Sequence, residues 1–225
     1  MSRAFIERTK RQITSLDGMW FFKTDVDNLG KENGWYNGFT DGEQISVPSV
    51  WNTEFGLTEY KGAVWYSKNF YFCGGNLRLN FEAVMTYAEV WLDGKLLGDH
   101  YGGYTQFDFY VSNAKEGTHN ITLRVDNSFD ENSIPQKKVD WYHYGGIIRS
   151  VFAERVDGAL VTNARFDYDL SDDLKSAKGK ITAELLNSEG YDVTSPLALY
   201  FEDKKVYEAE ITIKSGETKT ITSPR

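Results

Sequence analysis

The chain has 225 residues, of which 40% are hydrophobic and 26% charged, a composition typical of a folded globular protein rather than a disordered one. Its 25 Lys and Arg residues against 33 Asp and Glu residues give a net charge of −8 without a basic stripe, which argues against nucleic acid and anionic membranes as partners. The single cysteine, Cys73, excludes an internal disulfide.

The N-terminal segment, residues 1–10, lacks the apolar core of a secretory signal. We therefore expect such a signal to be absent, or to have been removed before Met1. No apolar run in the chain approaches the ~20 residues that a membrane-spanning helix needs. These two observations predict a soluble protein.

Apolar and polar residues alternate over most of the chain, which is typical of half-buried β-strands. Asp93-Gly94 predicts a hairpin turn, because both residues tolerate a positive φ. A sustained 3.6-residue period is lacking, so helices are expected to be short or missing. Short strands separated by glycine-marked turns favour a β-sandwich or a barrel. The predicted strands of the first 156 residues are 65–72, 77–82, 88–92, 107–111, 121–125 and 147–156.

Two long stretches lack this alternation of apolar and polar residues: residues 48–62 and 127–146. Long loops without secondary structure are uncommon in compact domains and are usually functional when ordered. Both stretches are rich in rings, which either form a binding surface or fold back as lids on the core; the pattern alone decides neither. The rings are Trp51, Phe55, Tyr60, Trp141, Tyr142, His143 and Tyr144.

A domain boundary is predicted near residues 156–158. Beyond it no tryptophan occurs, while Lys and Glu become frequent. Residues 1–156 are therefore interpreted as one domain and residues 157–225 as part of a second sandwich. The strands of the second domain are predicted at 160–168, 180–186, 197–201 and 206–213.

Motifs for metal, nucleophilic or phosphate chemistry are lacking. His100, His119 and His143 lie far apart in sequence and no cysteine pair exists, so no metal site is predicted. Residues 25–28 lack the glycine and the distal glutamate of a calcium loop and are interpreted as a solvated turn. A Gly-x-Ser-x-Gly elbow and a glycine-rich phosphate loop are also missing. We predict no cofactor and no catalytic residue in this chain.

The run from Asp140 to Gly146 favours carbohydrate binding. It offers one carboxylate, four rings and a flexible turn within seven residues. Sugars are bound by aromatic faces that pack on their C–H groups and by carboxylates that accept paired hydroxyl hydrogen bonds. The alternative is that Asp140 only caps its own loop.

The run Asp-Trp-Tyr-His-Tyr-Gly-Gly-Ile-Ile-Arg-Ser-Val at residues 140–151 resembles the N-terminal sugar-binding domain of glycoside hydrolase family 2. This family includes β-galactosidases and β-glucuronidases. The short segment before the first matched block is most similar to those of bacterial β-glucuronidases and short β-galactosidases. This similarity implies a bacterial protein located in the cytoplasm. Further blocks match in the same order at residues 16–22, 47–52, 60–66, 100–111 and 123–127, with Gln106 where the family commonly has proline.

The resemblance implies a jelly-roll, galactose-binding-domain-like β-sandwich over about residues 12–156, followed by a truncated immunoglobulin-like β-sandwich. In the family, a (β/α)8 barrel follows and holds both catalytic glutamates; the chain ends before it and contains no Asn-Glu acid/base dipeptide. Asp140 is implied to reach the terminal sugar in the barrel pocket, and Arg149 to support its loop. The full set of implied substrate-binding residues is Asp140, Trp141, Tyr142 and His143.

Three hypotheses follow. The first is a non-catalytic N-terminal fragment of a retaining β-galactosidase or β-glucuronidase, inactive alone and completed by the missing barrel. The second is a stand-alone carbohydrate-binding module with an exposed aromatic platform. The third is a structural sandwich whose rings are core. An edge strand of the truncated second domain would also allow a homo-oligomer.

Overall fold

The structure is a computed structural model that describes residues 12–54, 56–131 and 133–224. Its regular elements are β-strands and two short 3-10 helices, so the predicted all-β class is confirmed. Among the helices of these residues, none is long and apolar enough to cross a membrane. The described residues form two compact units, one ending at Arg155 and the other beginning at Val156.

The first unit contains ten strands and both 3-10 helices. The strands are β1 (Ile13–Ser15), β2 (Gly18–Asp25), β3 (Glu43–Val47), β4 (Ala63–Phe81), β5 (Val84–Met85), β6 (Tyr87–Leu92), β7 (Lys95–Tyr101), β8 (Phe107–Asp126), β9 (Gly146–Ile147) and β10 (Val151–Val156), and the 3-10 helices are Trp35–Asn37 and Trp51–Thr53.

The long strands β4 and β8 pair antiparallel along most of their length and organise this unit, although β5, β6 and β7 lie between them in sequence. The prediction of two separate strands in each of these segments is wrong, because each segment is one continuous strand. Gly74 and Gly75 adopt φ values of 81° and 103° within β4, and the pairing register shifts just after them. Glycine reaches such angles without a steric penalty, so the strand bends there without ending.

The two halves of β4 contact different strands of this unit. The first half of β4 pairs with β2, whereas Arg78 in the second half contacts Glu154 of β10. The main sheet has the order β1-β10-β4-β8-β6-β7, with β2 on β4 and β3 on β2, and β5 pairs with β9. The hydrophobic core of this unit includes Trp20, Phe22, Trp51, Tyr66, Leu79, Phe81, Ile121, Leu123 and Ile147.

A second aromatic cluster, of Phe39, Trp65 and Trp91, lies outside this core. Beside it, Asp25 is buried, and its carboxylate accepts hydrogen bonds from the Leu29 main chain at 2.8 Å and from Trp65 Nε1 at 2.7 Å. The interpretation of residues 25–28 as a solvated turn is therefore wrong for Asp25, because a tryptophan distant in sequence covers it.

The second unit is a smaller pair of sheets, one with the order β11-β12-β15 and one of β13 and β14. Its main apolar cluster is formed by the buried Leu185, Ile211 and Ile213, with Leu197, Tyr207 and Ile221 packed against them. Leu160, Ala183 and Leu199 are buried in this unit as well. The strands are β11 (Ala159–Leu170), β12 (Ala177–Asn187), β13 (Val193–Phe201), β14 (Lys204–Ile213) and β15 (Thr218–Thr222).

Candidate functional site

The two irregular stretches predicted from sequence lie against each other in the first unit. Asn52 is buried between them, and its Oδ1 accepts a hydrogen bond of 2.8 Å from the Gly145 main chain. The Trp51 main-chain N–H donates to the carbonyl oxygen of Gly145 at 3.0 Å. The Asn52 amide also donates to carbonyl oxygens of its own stretch, those of Leu57 and Tyr60 among them. One asparagine therefore fixes both stretches.

A second junction joins the ends of the same stretches. The buried Asn127 side chain accepts a hydrogen bond of 3.1 Å from the Gly62 main chain. The Lys61 ammonium donates to the carbonyl oxygen of His143. Burial lowers the pKa of Lys61; Glu59 opposes this shift, and Lys138 adds to it. Lys61, which belongs to the first stretch, therefore contacts the second stretch directly.

His143 is the buried member of the predicted sugar-binding run. Its Nε2 atom lies 2.9 Å from the carbonyl oxygen of Asn127, and its ring centroid lies 4.5 Å from that of Phe129. Burial lowers the pKa of His143 below its ordinary value; the hydrogen bond to Asn127 opposes this shift, and the nearby Lys61 charge adds to it. The ring is held inside the loop, where it serves as an anchor.

The other rings of the run point outward. Tyr142 and Tyr144 pack on each other with ring centroids 4.6 Å apart, and the Lys61 Nζ atom lies 4.9 Å from the centre of the Tyr142 ring. Trp51, by contrast, is fully buried in the core. Trp51 and His143 therefore fold back on the protein, as one interpretation predicts, whereas the binding surface of the exposed rings stays a prediction. Phe55 lies outside the described residues. The exposed fractions of Trp141, Tyr142 and Tyr144 are 58%, 39% and 44%.

Asp140 lies at the start of this exposed run. Its carboxylate is exposed, and among the described residues it forms no hydrogen bond or ion pair. Arg149 is exposed too, and its main-chain N–H donates to the carbonyl oxygen of Ala83 at 3.3 Å. The sugar-binding role of Asp140 and the supporting role of Arg149 stay predictions.

We call the surface formed by Lys61, Asp140, Trp141, Tyr142 and Tyr144 the aromatic loop surface. It combines one unpaired carboxylate, three exposed rings and an ammonium group, which suits a polyhydroxy ligand. Asn52, Lys61 and Asn127, which support this surface, were not predicted as site residues. Asn52 and Asn127 are matched positions of the family resemblance, which was the signal available for finding them, whereas Lys61 falls at an unmatched position of its block.

Three comparisons with known proteins agree with one another. The sequence profile described as "Glycosyl hydrolases family 2, sugar binding domain" matches residues 13–155. A β-glucuronidase from Paenibacillus borealis is 24% identical over 223 residues, covering 82% of this chain and 37% of the relative. A β-galactosidase from Thermoanaerobacterium thermosulfurigenes is 27% identical over 198 residues, covering 81% and 27% respectively.

Among solved structures, the family 2 β-galacturonidase from Eisenbergiella tayi, determined with bound galacturonate, superimposes with a TM-score of 0.78 at 27% identity. The match covers 100% of this chain and 38% of the galacturonidase chain. The chain thus spans between 27% and 38% of the lengths of these three proteins.

Proposed function

Because the chain belongs to glycosyl hydrolases family 2, with a sugar-binding domain over residues 13–155, we propose that it is the non-catalytic N-terminal part of a retaining β-glycosidase. In this proposal it supplies one sugar contact to a pocket that a catalytic barrel domain completes. The observation that carries the proposal is Asp140, an exposed carboxylate without a partner among the described residues, on a loop that buried side chains hold in place.

In this proposal the barrel domain carries out the hydrolysis and the present chain contributes to sugar binding. In retaining glycosidases, two carboxylates about 5–5.5 Å apart act as the acid/base and the nucleophile. We assign both to the barrel. Asp140 accepts hydrogen bonds from two neighbouring sugar hydroxyls, and Trp141 and Tyr142 pack on the C–H face of the ring. His143 and Arg149 support the loop, so that the carboxylate is positioned before substrate arrives.

The substrate in this proposal is a terminal β-linked galactoside or uronide. The names of the relatives support this range, since they are a β-glucuronidase, a β-galactosidase and a β-galacturonidase. The 225-residue chain alone is expected to release no nitrophenol from nitrophenyl β-galactoside or β-glucuronide, because the acid/base and nucleophile are assigned to the barrel.

The decisive experiment replaces Asp140 by asparagine in the full-length enzyme. A hydrogen bond to a charged group is worth about 1.5–3 kcal/mol and one to a neutral group about 0.5–1.5 kcal/mol, so removing the charge from two of them should cost about 2–3 kcal/mol and lower kcat/KM by about 30- to 160-fold. The free energy of unfolding should change by less than about 0.5 kcal/mol, since Asp140 has no partner in the described chain. The control is Asp27→Asn, which makes the same charge change at another exposed position.

Normal kinetics combined with a large loss of stability would show that Asp140 caps its own loop. A stand-alone binding module is the second candidate, favoured by the 58% exposure of Trp141. Titration calorimetry of the isolated chain with galactose, glucuronate and mannose tests it. Binding that is lost in Trp141→Ala would favour the module over the fragment of an enzyme.

A further inference from the structure

A cavity of about 260 Å³ opens on the first unit, beside β6, β7 and the end of β8. It combines two tyrosine rings with charged and hydroxyl groups. The proposed function makes no use of it. Its lining residues are Tyr87, Tyr101, Arg124, Asp126, Ser128 and Asp130.

The strand register builds the floor of this cavity. Tyr87 of β6 is paired with Tyr101 of β7 on one side and with Asp126 of β8 on the other. Residues that are paired directly across antiparallel strands point to the same face of the sheet. The two rings accordingly lie 5.4 Å apart between their centroids, at an angle of 39°. The next row of the same face places Glu89 beside Arg124.

The segment after β8 builds the wall. Side chains of an extended segment alternate between its two sides. The side chains of Asp126, Ser128 and Asp130 line the cavity, whereas the Asn127 side chain accepts a hydrogen bond from the Gly62 main chain and the Phe129 ring packs on His143. One segment therefore lines the cavity with some of its side chains and supports the loop of the aromatic loop surface with others.

Hydrogen bonds hold the polar groups of the cavity in place. The Tyr101 hydroxyl lies 2.8 Å and 2.9 Å from the two carboxylate oxygens of Asp130. Burial and the Asp130 carboxylate raise the pKa of Tyr101 to about 12, so its hydroxyl stays protonated at neutral pH. Arg124 donates to Asp126 at 3.0 Å and to Asn28 at 2.8 Å. The cavity therefore needs little reorganisation to receive a ligand.

We propose that this cavity is a binding site for one neutral pyranose or a polyol of similar size. The tyrosine rings offer an apolar face for the C–H groups of such a ligand. Asp126 accepts two hydrogen bonds, from Arg124 and from the Ser128 main chain, and an ionised carboxylate has about four lone-pair sites, so it can accept sugar hydroxyls as well. The Tyr87 hydroxyl forms no hydrogen bond within the described chain and can also contact a ligand.

Charge and size narrow the class of ligand. Two carboxylates and one guanidinium line the cavity, and Glu89 lies 3.6 Å from Arg124, so an anionic ligand such as a uronate or a phosphate is disfavoured. Pockets for drug-sized ligands measure about 300–1,000 Å³, so about 260 Å³ suits a single sugar ring rather than an oligosaccharide.

The test is titration of the 225-residue chain with methyl β-galactoside, methyl β-glucoside and glucuronate, followed by calorimetry and ligand-observed NMR. We expect a neutral glycoside to bind with a dissociation constant on the order of 1–10 mM, as is reasonable for one small ring, and glucuronate to bind more weakly. Tyr87→Leu removes one ring and should weaken binding about two- to tenfold. Tyr101→Phe keeps the ring, loses the contact with Asp130, and should also weaken binding.

Two controls make the outcome specific. Tyr71→Leu makes the same substitution at an exposed tyrosine outside the cavity and should bind like the unaltered chain. Asp27→Asn removes an exposed carboxylate outside the cavity and should also leave binding unchanged. Failure of every neutral glycoside to bind, or binding insensitive to both Tyr87→Leu and Tyr101→Phe, would overturn the proposal. Binding lost in Asp140→Asn would place the ligand on the aromatic loop surface and overturn it too, without contradicting the proposed function.

Discussion

The Nε2 atom of His143 lies 2.9 Å from the carbonyl oxygen of Asn127, so one buried ring joins the two ends of the segment that carries Asp140. In the described chain the Nδ1 atom of this ring is buried without a hydrogen-bond partner, and the Lys61 ammonium is nearby. A second positive charge is therefore unfavourable here, and the neutral form of His143 is the one that the fold accepts.

This geometry predicts that His143 makes the fold less stable in acid. A group whose pKa is lowered on folding contributes stability that is complete above its unfolded pKa, about 6.5 for histidine. That stability is lost as the pH falls from about 6.5 through the lower folded pKa, because the unfolded chain then binds the proton first. Urea unfolding between pH 8 and pH 5 should show a steeper loss for the unaltered chain than for His143→Gln. Equal slopes would contradict the prediction.

His119 should have the opposite dependence. Its Nδ1 lies 2.6 Å from Asp93 and its Nε2 lies 2.8 Å from the carbonyl oxygen of Lys115. Burial alone would lower the pKa of His119, but these two contacts outweigh it and raise the pKa. The resulting stability is complete below the unfolded pKa of about 6.5 and is lost as the pH rises through the folded pKa.

The measurement compares His119→Gln with the unaltered chain by urea unfolding. The variant should be less stable at pH 5.5, and the difference should shrink toward pH 8.5 as the folded histidine loses its proton. A gap that stays constant with pH would mean that His119 contributes packing against Phe70 and Phe72 and little charge energy.

Gly145 should not tolerate a side chain. A Cβ atom at this position would lie 2.0 Å from Cζ2 of the buried Trp51 ring, far inside van der Waals contact. Gly145→Ala should therefore lower the free energy of unfolding by about 1–3 kcal/mol, the usual cost of overpacking a core. Gly190→Ala is the matched control, since a Cβ there meets no atom within 4 Å. Equal stability of the two variants would show that Trp51 can move aside.

Much of the fold follows from local pattern, and the hairpin at Asp93-Gly94 is an example. These residues adopt φ values of 50° and 77°, as the dipeptide predicts, because the requirement for positive φ is local. The joining of two predicted strands into β4 was missed, because Gly74-Gly75 is as typical of a turn as of a bend, and only the pairing with β8 decides between them.

The sequence predicted which aromatic residues belong to the two long loops, but not which of them are buried and which are exposed. Trp51 and Trp141 look alike in sequence, as aromatic residues in long loops, yet one is buried and the other exposed. The difference depends on Gly145, whose missing side chain leaves room for the Trp51 ring. The position of the Asn52 side chain likewise depends on its hydrogen bond with the Gly145 main chain, which is distant in sequence. Such long-range contacts leave no periodic signal, so a pattern of alternation cannot show them.

The second unit should exchange its amide hydrogens faster than the first. Its buried apolar cluster is small, and three of its rings stack while remaining largely exposed: Phe166 lies 4.7 Å from Phe201 and 5.5 Å from Tyr168 between centroids. Local opening costs less free energy where few apolar contacts are lost. Hydrogen exchange followed by mass spectrometry should therefore show earlier labelling in β12 than in β4, although both are long paired strands. Protection in β12 that equals protection in β4 would show that the small cluster of Leu185 and Ile213 suffices to hold the unit closed.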